Sequence, residues 1–466
     1  MTSSQPDSPL LVAEARTAPD RALRGTFLTN ITLALLAIAT GVLAAHLLGP
    51  SGEGELTAIQ TWPLLLATLA MLGLDSALVY FIAHKPEKSK QLTSTAIVIG
   101  AISFLVVSII AWFALPYLLS AQKPQVISAA RVFLLIGGIY AVVGIPHGAL
   151  RGAHSFSAWN LSRIAPSLAW LALLLVAWVL RSANPVSLSR WYLVGVLACG
   201  LPVLAVAHHR LQGPLKPDIK LAPSMLRFGL PSALTSLPQT VNLRFDQLLI
   251  IAFLPSRSLG FYVVAVAWSG AVAPLLSAVG AVLFPHVSGE TDSYRQGHLL
   301  ATALQCGALV AIATSAPFML LAPFGLPLVF GSRFGAAIPS ALVLVPAGAI
   351  LAWAGIAEEG LRGLGRPTIV LVAELVAAGV TVASLPLLLH ASGIFGAAVA
   401  SLLGYSTIAI FTAVAISRST NQRIRPLVVP TWPVTKSLAA RSLSLLPVPH
   451  RAPGRHRQRG AGWVKT

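Results

Sequence analysis

Stretches of apolar residues recur along this chain from Gly25 to Ile416, separated only by brief polar breaks. A helix rising about 1.5 Å per residue crosses a bilayer core in roughly 20 residues, so each stretch is long enough to span a membrane. The pattern predicts about twelve transmembrane helices, at 25–48, 56–83, 92–115, 127–149, 159–180, 191–208, 226–253, 259–286, 299–321, 339–360, 368–389 and 394–416. Pro63, Pro146, Pro231, Pro238, Pro274 and Pro346 fall inside these spans. Membrane helices tolerate such breakers because neighbours re-satisfy the freed backbone groups, and kinked, movable helices are expected.

Most spans are apolar all round, and their serines, threonines and glycines read as packing residues. The seventh span differs, carrying Ser232, Thr235, Ser236, Gln239, Thr240, Asn242, Arg244, Asp246 and Gln247. At about 100° per residue, Ser232, Thr235, Gln239, Asn242 and Asp246 form one stripe, and Ser236, Thr240, Arg244 and Gln247 an adjoining one. A charge near the bilayer middle is costly unless it meets water or a partner, so this face predicts a cavity wall or a buried interhelical ion pair. Arg244 and Asp246 point about 160° apart and each needs its own partner. On the first span Thr26, Thr29, Asn30 and Thr40 lie within about 100° of arc and supply a facing wall. Asp75 and Glu374 are further acidic groups embedded in spans; each reads as a structural cap or as a site of proton or cation coupling.

Self-similarity appears at half the helical length. An offset of 206 pairs Arg21 with Arg227, Leu28 with Leu234, Thr29 with Thr235, Leu48 with Leu254, Gly54 with Gly260 and Trp62 with Trp268. An offset of 211 pairs Leu150-Arg151-Gly152 with Leu361-Arg362-Gly363. Six spans separate each pair, which predicts two parallel repeats about an axis along the membrane normal. The expected organisation is a polar segment 1–24, a six-helix bundle at 25–208, a linker at 209–225, a second six-helix bundle at 226–416 and a basic tail at 417–466.

Composition agrees with lipid as the solvent: 56% of the 466 residues are hydrophobic, only 10% are charged, and mean hydropathy is +0.79. The formal charge of +18 raises a nucleic-acid reading, but the basic residues are distributed by face. With the N-terminus inside, 25 lysines and arginines fall on the inner side and five (Lys123, Arg181, Arg190, Arg257 and Arg333) on the outer. That asymmetry predicts an inner-membrane, multi-pass protein with both termini cytoplasmic, its basic face meeting anionic lipid headgroups rather than nucleic acid. The tail after Ile416 holds ten Lys/Arg and no acid and is expected to be disordered.

No Walker A, HExxH, CxxC pair, GxSxG or dinucleotide fingerprint occurs, so an enzyme, a metal site or a cofactor is not expected. Cys199 and Cys306 both sit in apolar stretches and do not form a disulfide framework.

Several short stretches carry a resemblance. They are Leu47-Leu48-Gly49-Pro50 with Gly54, Leu72-Gly73-Leu74, Arg227-Phe228-Gly229-Leu230-Pro231, Arg244-Phe245-Asp246, Gly260-Phe261-Tyr262, Leu283-Phe284-Pro285, Gly365-Arg366-Pro367 and Gly393-Ile394-Phe395-Gly396. In this order the chain resembles the oligosaccharide flippases of the multidrug/oligosaccharidyl-lipid/polysaccharide exporter superfamily. The resemblance implies two six-helix bundles around a cavity walled by helices 1 and 7. Alternating access would move an undecaprenyl-pyrophosphate-linked glycan outward for cell-surface polysaccharide synthesis. On that reading Arg244, Asp246, Asn242, Gln239, Thr235 and Asn30 are the expected lining of the substrate-binding cavity, with Arg24 and Arg227 nearer its inner mouth, and Asp75 and Glu374, singled out by position alone, stay open as ion-coupling sites. A monomer is expected, with a polysaccharide polymerase or glycosyltransferases as candidate partners. The alternative reading is an ion-coupled multidrug or cation antiporter of the same superfamily. A major-facilitator transporter fits less well, because the loop between helices 2 and 3 reads His84-Lys85-Pro86-Glu87-Lys88-Ser89-Lys90 rather than Gly-x-x-x-Asp-Arg.

Overall fold

The computed structural model describes residues 9–270 and 293–420, and among them the side chains of 25–234, 242–270 and 295–420. No strand occurs among these residues, and the helices follow the apolar spans in order. Among the described residues eight helical stretches are long and apolar enough to cross a membrane, and two of them, Gly25–His84 and Pro367–Thr420, are joined pairs. Gly49 (φ 62°, ψ −178°) separates helix 1 (residues 9–48) from helix 2 (residues 50–84), and Gly393 (φ 58°, ψ −135°) separates helix 11 (residues 367–392) from helix 12 (residues 394–420). Glycine is needed at both joints because a Cβ disfavours positive φ. The chain begins its first helix at Pro9, so part of the segment expected to precede it is helical.

Between these pairs run helix 3 (Ser89–Leu118), helix 4 (residues 124–152), helix 5 (Phe156–Val179) and helix 6 (Pro185–Arg210). Helix 7 (residues 222–253) and the first part of helix 8 (Ser256–Gly270) follow. Helix 9 (Ser293–Phe330) and helix 10 (Ile338–Gly363) complete the order. The expected continuation of helix 8 to residue 286 and most of the basic tail lie outside the described residues.

Three helices are interrupted. Helix 2 breaks at residues 71–73, where Leu72 (φ 50°) and Gly73 (φ 69°) turn left-handed. Helix 4 widens into a π-turn at Tyr140–Gly144, one residue before the Ile145-Pro146 pair. Helix 7, predicted as one rod, divides after Asn242 and restarts at Phe245, with Arg244 at φ −129°. Breaks at membrane depth are stable only where protein or water receives the freed backbone groups, so these helices mark the interior of the assembly.

Glycines bring the two halves together. Gly54 of helix 2 and Gly260 of helix 8 lie backbone against backbone: a Cβ on Gly54 would fall 1.7 Å from the Ser256 carbonyl oxygen, and one on Gly260 1.9 Å from that of Pro50. Gly73 of helix 2 meets Gly229 of helix 7 in the same way, toward the opposite end. The first pair are counterparts in the 206-residue repeat, which places the axis between the halves beside them.

We call the end carrying the start of helix 1 the basic end and the other the far end. Around the far end one core joins the halves, with Ile59, Val126 and Phe133 from the first and Ile250, Ile251, Tyr262 and Phe334 from the second. At the basic end the core divides. Leu74, Leu78, Ile82, Ile145 and Leu150 form one cluster, to which helix 7 adds Met225. Leu300, Leu304, Ile356, Leu361 and Ile416 form another. Large apolar side chains such as Phe113, Leu320, Phe324 and Leu328 stand exposed around the outside, as lipid rather than water requires.

Candidate functional site

Helix 7 distributes its polar side chains in two directions because it is broken between them. Asn242 Nδ2 donates to Glu374 Oε2 of helix 11 at 2.6 Å and to the Glu374 carbonyl oxygen at 3.2 Å. After the break, Asp246 accepts from the Tyr262 hydroxyl of helix 8 at 2.5 Å and from Ser401 Oγ of helix 12 at 3.2 Å. Its other oxygen takes the Gln247 amide N–H at 2.7 Å. Asn242, Asp246 and Glu374 are all buried. The expectation that Asn242 and Asp246 face an open cavity is therefore corrected: both point into the second bundle, because helices 8, 11 and 12 supply the partners that a desolvated amide and carboxylate require.

Glu358 of helix 10 completes this cluster. It is 3% exposed, its carboxyl faces that of Glu374, and Arg362 approaches it at 3.4 Å. Tyr405 lies close enough to feel Asp246 and Glu374. Five helices thus converge on three buried acids, with a tyrosine hydroxyl and a serine among them. Sequence reasoning singled out Asp246 and Glu374 but missed Glu358, Tyr262, Ser401 and Tyr405, which lie far apart in the chain. The signal available was an acid, Glu358, at the end of a long apolar run. No group of three or more His, Cys, Asp or Glu among the described residues is arranged to hold a metal ion.

Arg244 turns the other way. It is exposed, and its Nη1 donates to Gln247 Oε1 at 3.2 Å on its own helix. Arg227 is exposed near the start of helix 7. The side chains of Arg24, Thr235 and Gln239 lie outside the described residues.

Asn30 belongs to a different group, in the first half. Its side-chain oxygen accepts from Arg163 Nη2 of helix 5 at 2.9 Å, while Asn160 Nδ2 donates to Thr26 Oγ1 at 3.2 Å. The Arg163 guanidinium lies 4.6 Å from the centre of the Trp159 ring, and that of Arg151 lies 5.5 Å from it. Asp75 starts the second segment of helix 2, packs against Gly148 and sits near Arg151 rather than beside Glu374. The two residues expected to couple ions are thus in separate halves.

At the far end the first half caps helix 7. Gln122 Nε2 donates to the carbonyl oxygens of Ile251 at 2.7 Å and Leu254 at 2.9 Å, and its Oε1 accepts from Ser256 Oγ at 2.6 Å. These are carbonyls left without partners where the helix ends. Beside them Lys123 bonds Glu55 at 2.7 Å, a contact that raises its ammonium above the ordinary lysine range. Two grooves among the described residues lie elsewhere: one of about 580 Å³ between helices 9, 10 and 12, and one of about 710 Å³ along helices 11 and 12, both lined mainly by apolar side chains.

The architecture is shared with solved transporters. A structure described as the lipid II flippase MurJ, inward closed conformation, superposes with a TM-score of 0.73 at 14% identity, covering 90% of this chain and 92% of that one. An inward-facing multidrug resistance MATE family transporter of the MOP superfamily gives 0.68 at 17% identity, over 85% and 95% of the two chains. A MOP superfamily transporter from Pyrococcus furiosus, whose description notes a reversed polarity of its binding pocket, gives 0.58 at 16%, over 88% and 96%. These likenesses establish the fold. No curated protein sequence matches the chain. The family profile described as polysaccharide biosynthesis protein matches residues 25–289, more than half of the chain, and the chain belongs to that family.

Proposed function

We propose that this protein is a flippase that moves a polyprenyl-pyrophosphate-linked oligosaccharide across the membrane by alternating access, for cell-surface polysaccharide synthesis. The observation that carries the reading is the division of the core: one core joins the halves at the far end, and two separate ones stand at the basic end. That is the shape of a carrier closed on one side and, apart from the start of helix 7, which packs on helix 2 through Gly229 and Gly73, parting on the other. Family membership directs the substrate toward a glycan.

The basic end is assigned to the cytoplasm, because 25 of the 32 lysines and arginines fall on that side. The two halves, 25–208 and 226–416, are the moving bodies, joined by 209–225, and Gly54 and Gly260 act as the pivot. Arg244, Arg24, Arg227, Thr235, Gln239 and Asn30 line the route between them. Asp246 and Glu374, with Glu358, form the coupling group, which takes up a proton as the halves move. Anionic lipids meet the basic face, and a polymerase or glycosyltransferases supply and consume the glycan.

A second reading, a proton-coupled antiporter of organic cations, is favoured by the three buried acids. Purified protein in liposomes separates the two. Fluorescent polyprenyl-diphosphate-linked saccharide should become accessible to an impermeant quencher, with ethidium left unmoved. Ethidium transport with no movement of the lipid would reverse the choice.

A further inference from the structure

We propose that Arg151 and Arg163, stacked around Trp159 at the basic end of the first half, form the docking site for the diphosphate of the substrate lipid. The inference rests on the flippase reading and assigns its phosphate-binding residues to helices 4 and 5, outside helix 7.

Three observations define the site. The two guanidiniums share one indole ring, at 4.6 and 5.5 Å from its centre, and lie close enough to repel one another. Neither forms an ion pair among the described residues, whose salt bridges join Lys123 to Glu55 and Arg362 to Glu358 and Glu359. His147, one turn before Arg151, faces Arg163 as well. Asp75 near Arg151 offsets one of the two guanidinium charges, and the charge left in excess makes a place for an anion. The stack on Trp159 and the bond from Arg163 to Asn30 hold the planar donors in position before it arrives.

The site faces the interior of the assembly. Helix 5 presents Leu161, Leu168 and Leu175 to lipid, exposed by 67, 49 and 42%. At about 100° per residue Arg163 lies roughly 160° around the helix from Leu161, on the side turned toward helix 1. It stands seven residues after Phe156, about 10 Å into the helix. Asn30 is exposed at that depth, and an exposed amide paired with an arginine there belongs to a hydrated mouth rather than to hydrocarbon.

The ligand chemistry is a phosphate on a lipid. Two forks of donors match the several oxygens and multiple charge of a diphosphate, whereas a phosphodiester headgroup offers one charge. Binding to the detergent-purified full-length protein should therefore be measured for polyprenyl diphosphate and for phosphatidylglycerol. The comparison includes the wild type, the double variant R151Q/R163Q, and R210Q as a control that removes one basic charge at the end of helix 6. The double variant should bind polyprenyl diphosphate about tenfold or more weakly, the scale of losing hydrogen bonds to a charged group, with R210Q unchanged. Phosphatidylglycerol that competes equally and is lost equally would make this a general headgroup site and overturn the assignment. Unchanged diphosphate affinity in the folded double variant would also overturn it. Should the glutamine variants fail to fold, R151K/R163K decides: loss of the planar forks should lower affinity several-fold, and full affinity would refute the cradle. Binding is read apart from transport, so diphosphate bound here without any flipping would remove the transport reading and leave this site standing.

Discussion

Gly54 and Gly260, 206 residues apart, touch through their backbones, so that each occupies the space where the other's side chain would begin. The contact holds helices 2 and 8 together at the far end. Helices approach this closely only where both lack a side chain. The counterpart residues of two parallel repeats meet at the axis between them.

Gly54→Ala should consequently open the far end. The new methyl lands on the Ser256 carbonyl, a backbone atom that cannot rotate away, and overpacking of this kind costs about 1–3 kcal/mol. A cysteine placed at buried Ile59 should then react faster with a membrane-impermeant maleimide. Labelling equal to that of the Ile59→Cys parent would mean the two helices absorb the methyl without parting.

Gln122→Ala should shift the same equilibrium by a different route. It strips the Ile251 and Leu254 carbonyls of their side-chain donor and Ser256 of its acceptor, three bonds between the halves. Each is worth about 0.5–1.5 kcal/mol to the closed state. Spin labels at Ala121 and Ser258 should report a larger population of the longer distance. A distribution identical to the parent's would remove Gln122 from the closure.

Asp246 separates charge from structure. Asp246→Asn keeps an oxygen for Tyr262 and Ser401, so the protein should fold, yet transport should lose its response to a proton gradient while exchange continues. Asp246→Ala leaves the buried Tyr262 hydroxyl without its acceptor and should lower unfolding stability by about 1–3 kcal/mol. An Asp246→Asn protein that still concentrates substrate against its gradient would take this acid out of the coupling group.

For Arg244 the prediction concerns activity alone. Its partner is Gln247 on the same helix, and it is exposed, so Arg244→Ala should leave the amount of folded protein unchanged while abolishing transport. Arg244→Lys, which keeps charge but loses the planar two-donor contact, should retain part of it. Full export by well-expressed Arg244→Ala would leave the arginine a surface residue at a helix break.

The order of the apolar helices and the pairing of Gly54 with Gly260 were legible in the chain, because both rest on local or periodic properties. Lipid demands some 20 apolar residues at a time, and a glycine 206 positions from its counterpart stays in the sequence whatever the fold. Helix 7 was recognised as the polar one for the same reason. Its stripes hold only for an unbroken rod, however, and the break at residues 243–244 contains neither proline nor glycine to announce it.

What tertiary structure alone decided is where each polar group finds its partner. Asp246 and Arg244 are two residues apart, yet one is sealed among Tyr262 and Ser401 and the other is exposed. Glu358 joins Glu374, and Asn30 joins Arg163 rather than helix 7. Desolvation is the reason: a buried charge or amide is tolerated only beside a matching group, and which groups match depends on how helices distant in sequence pack, a relation that no single span contains.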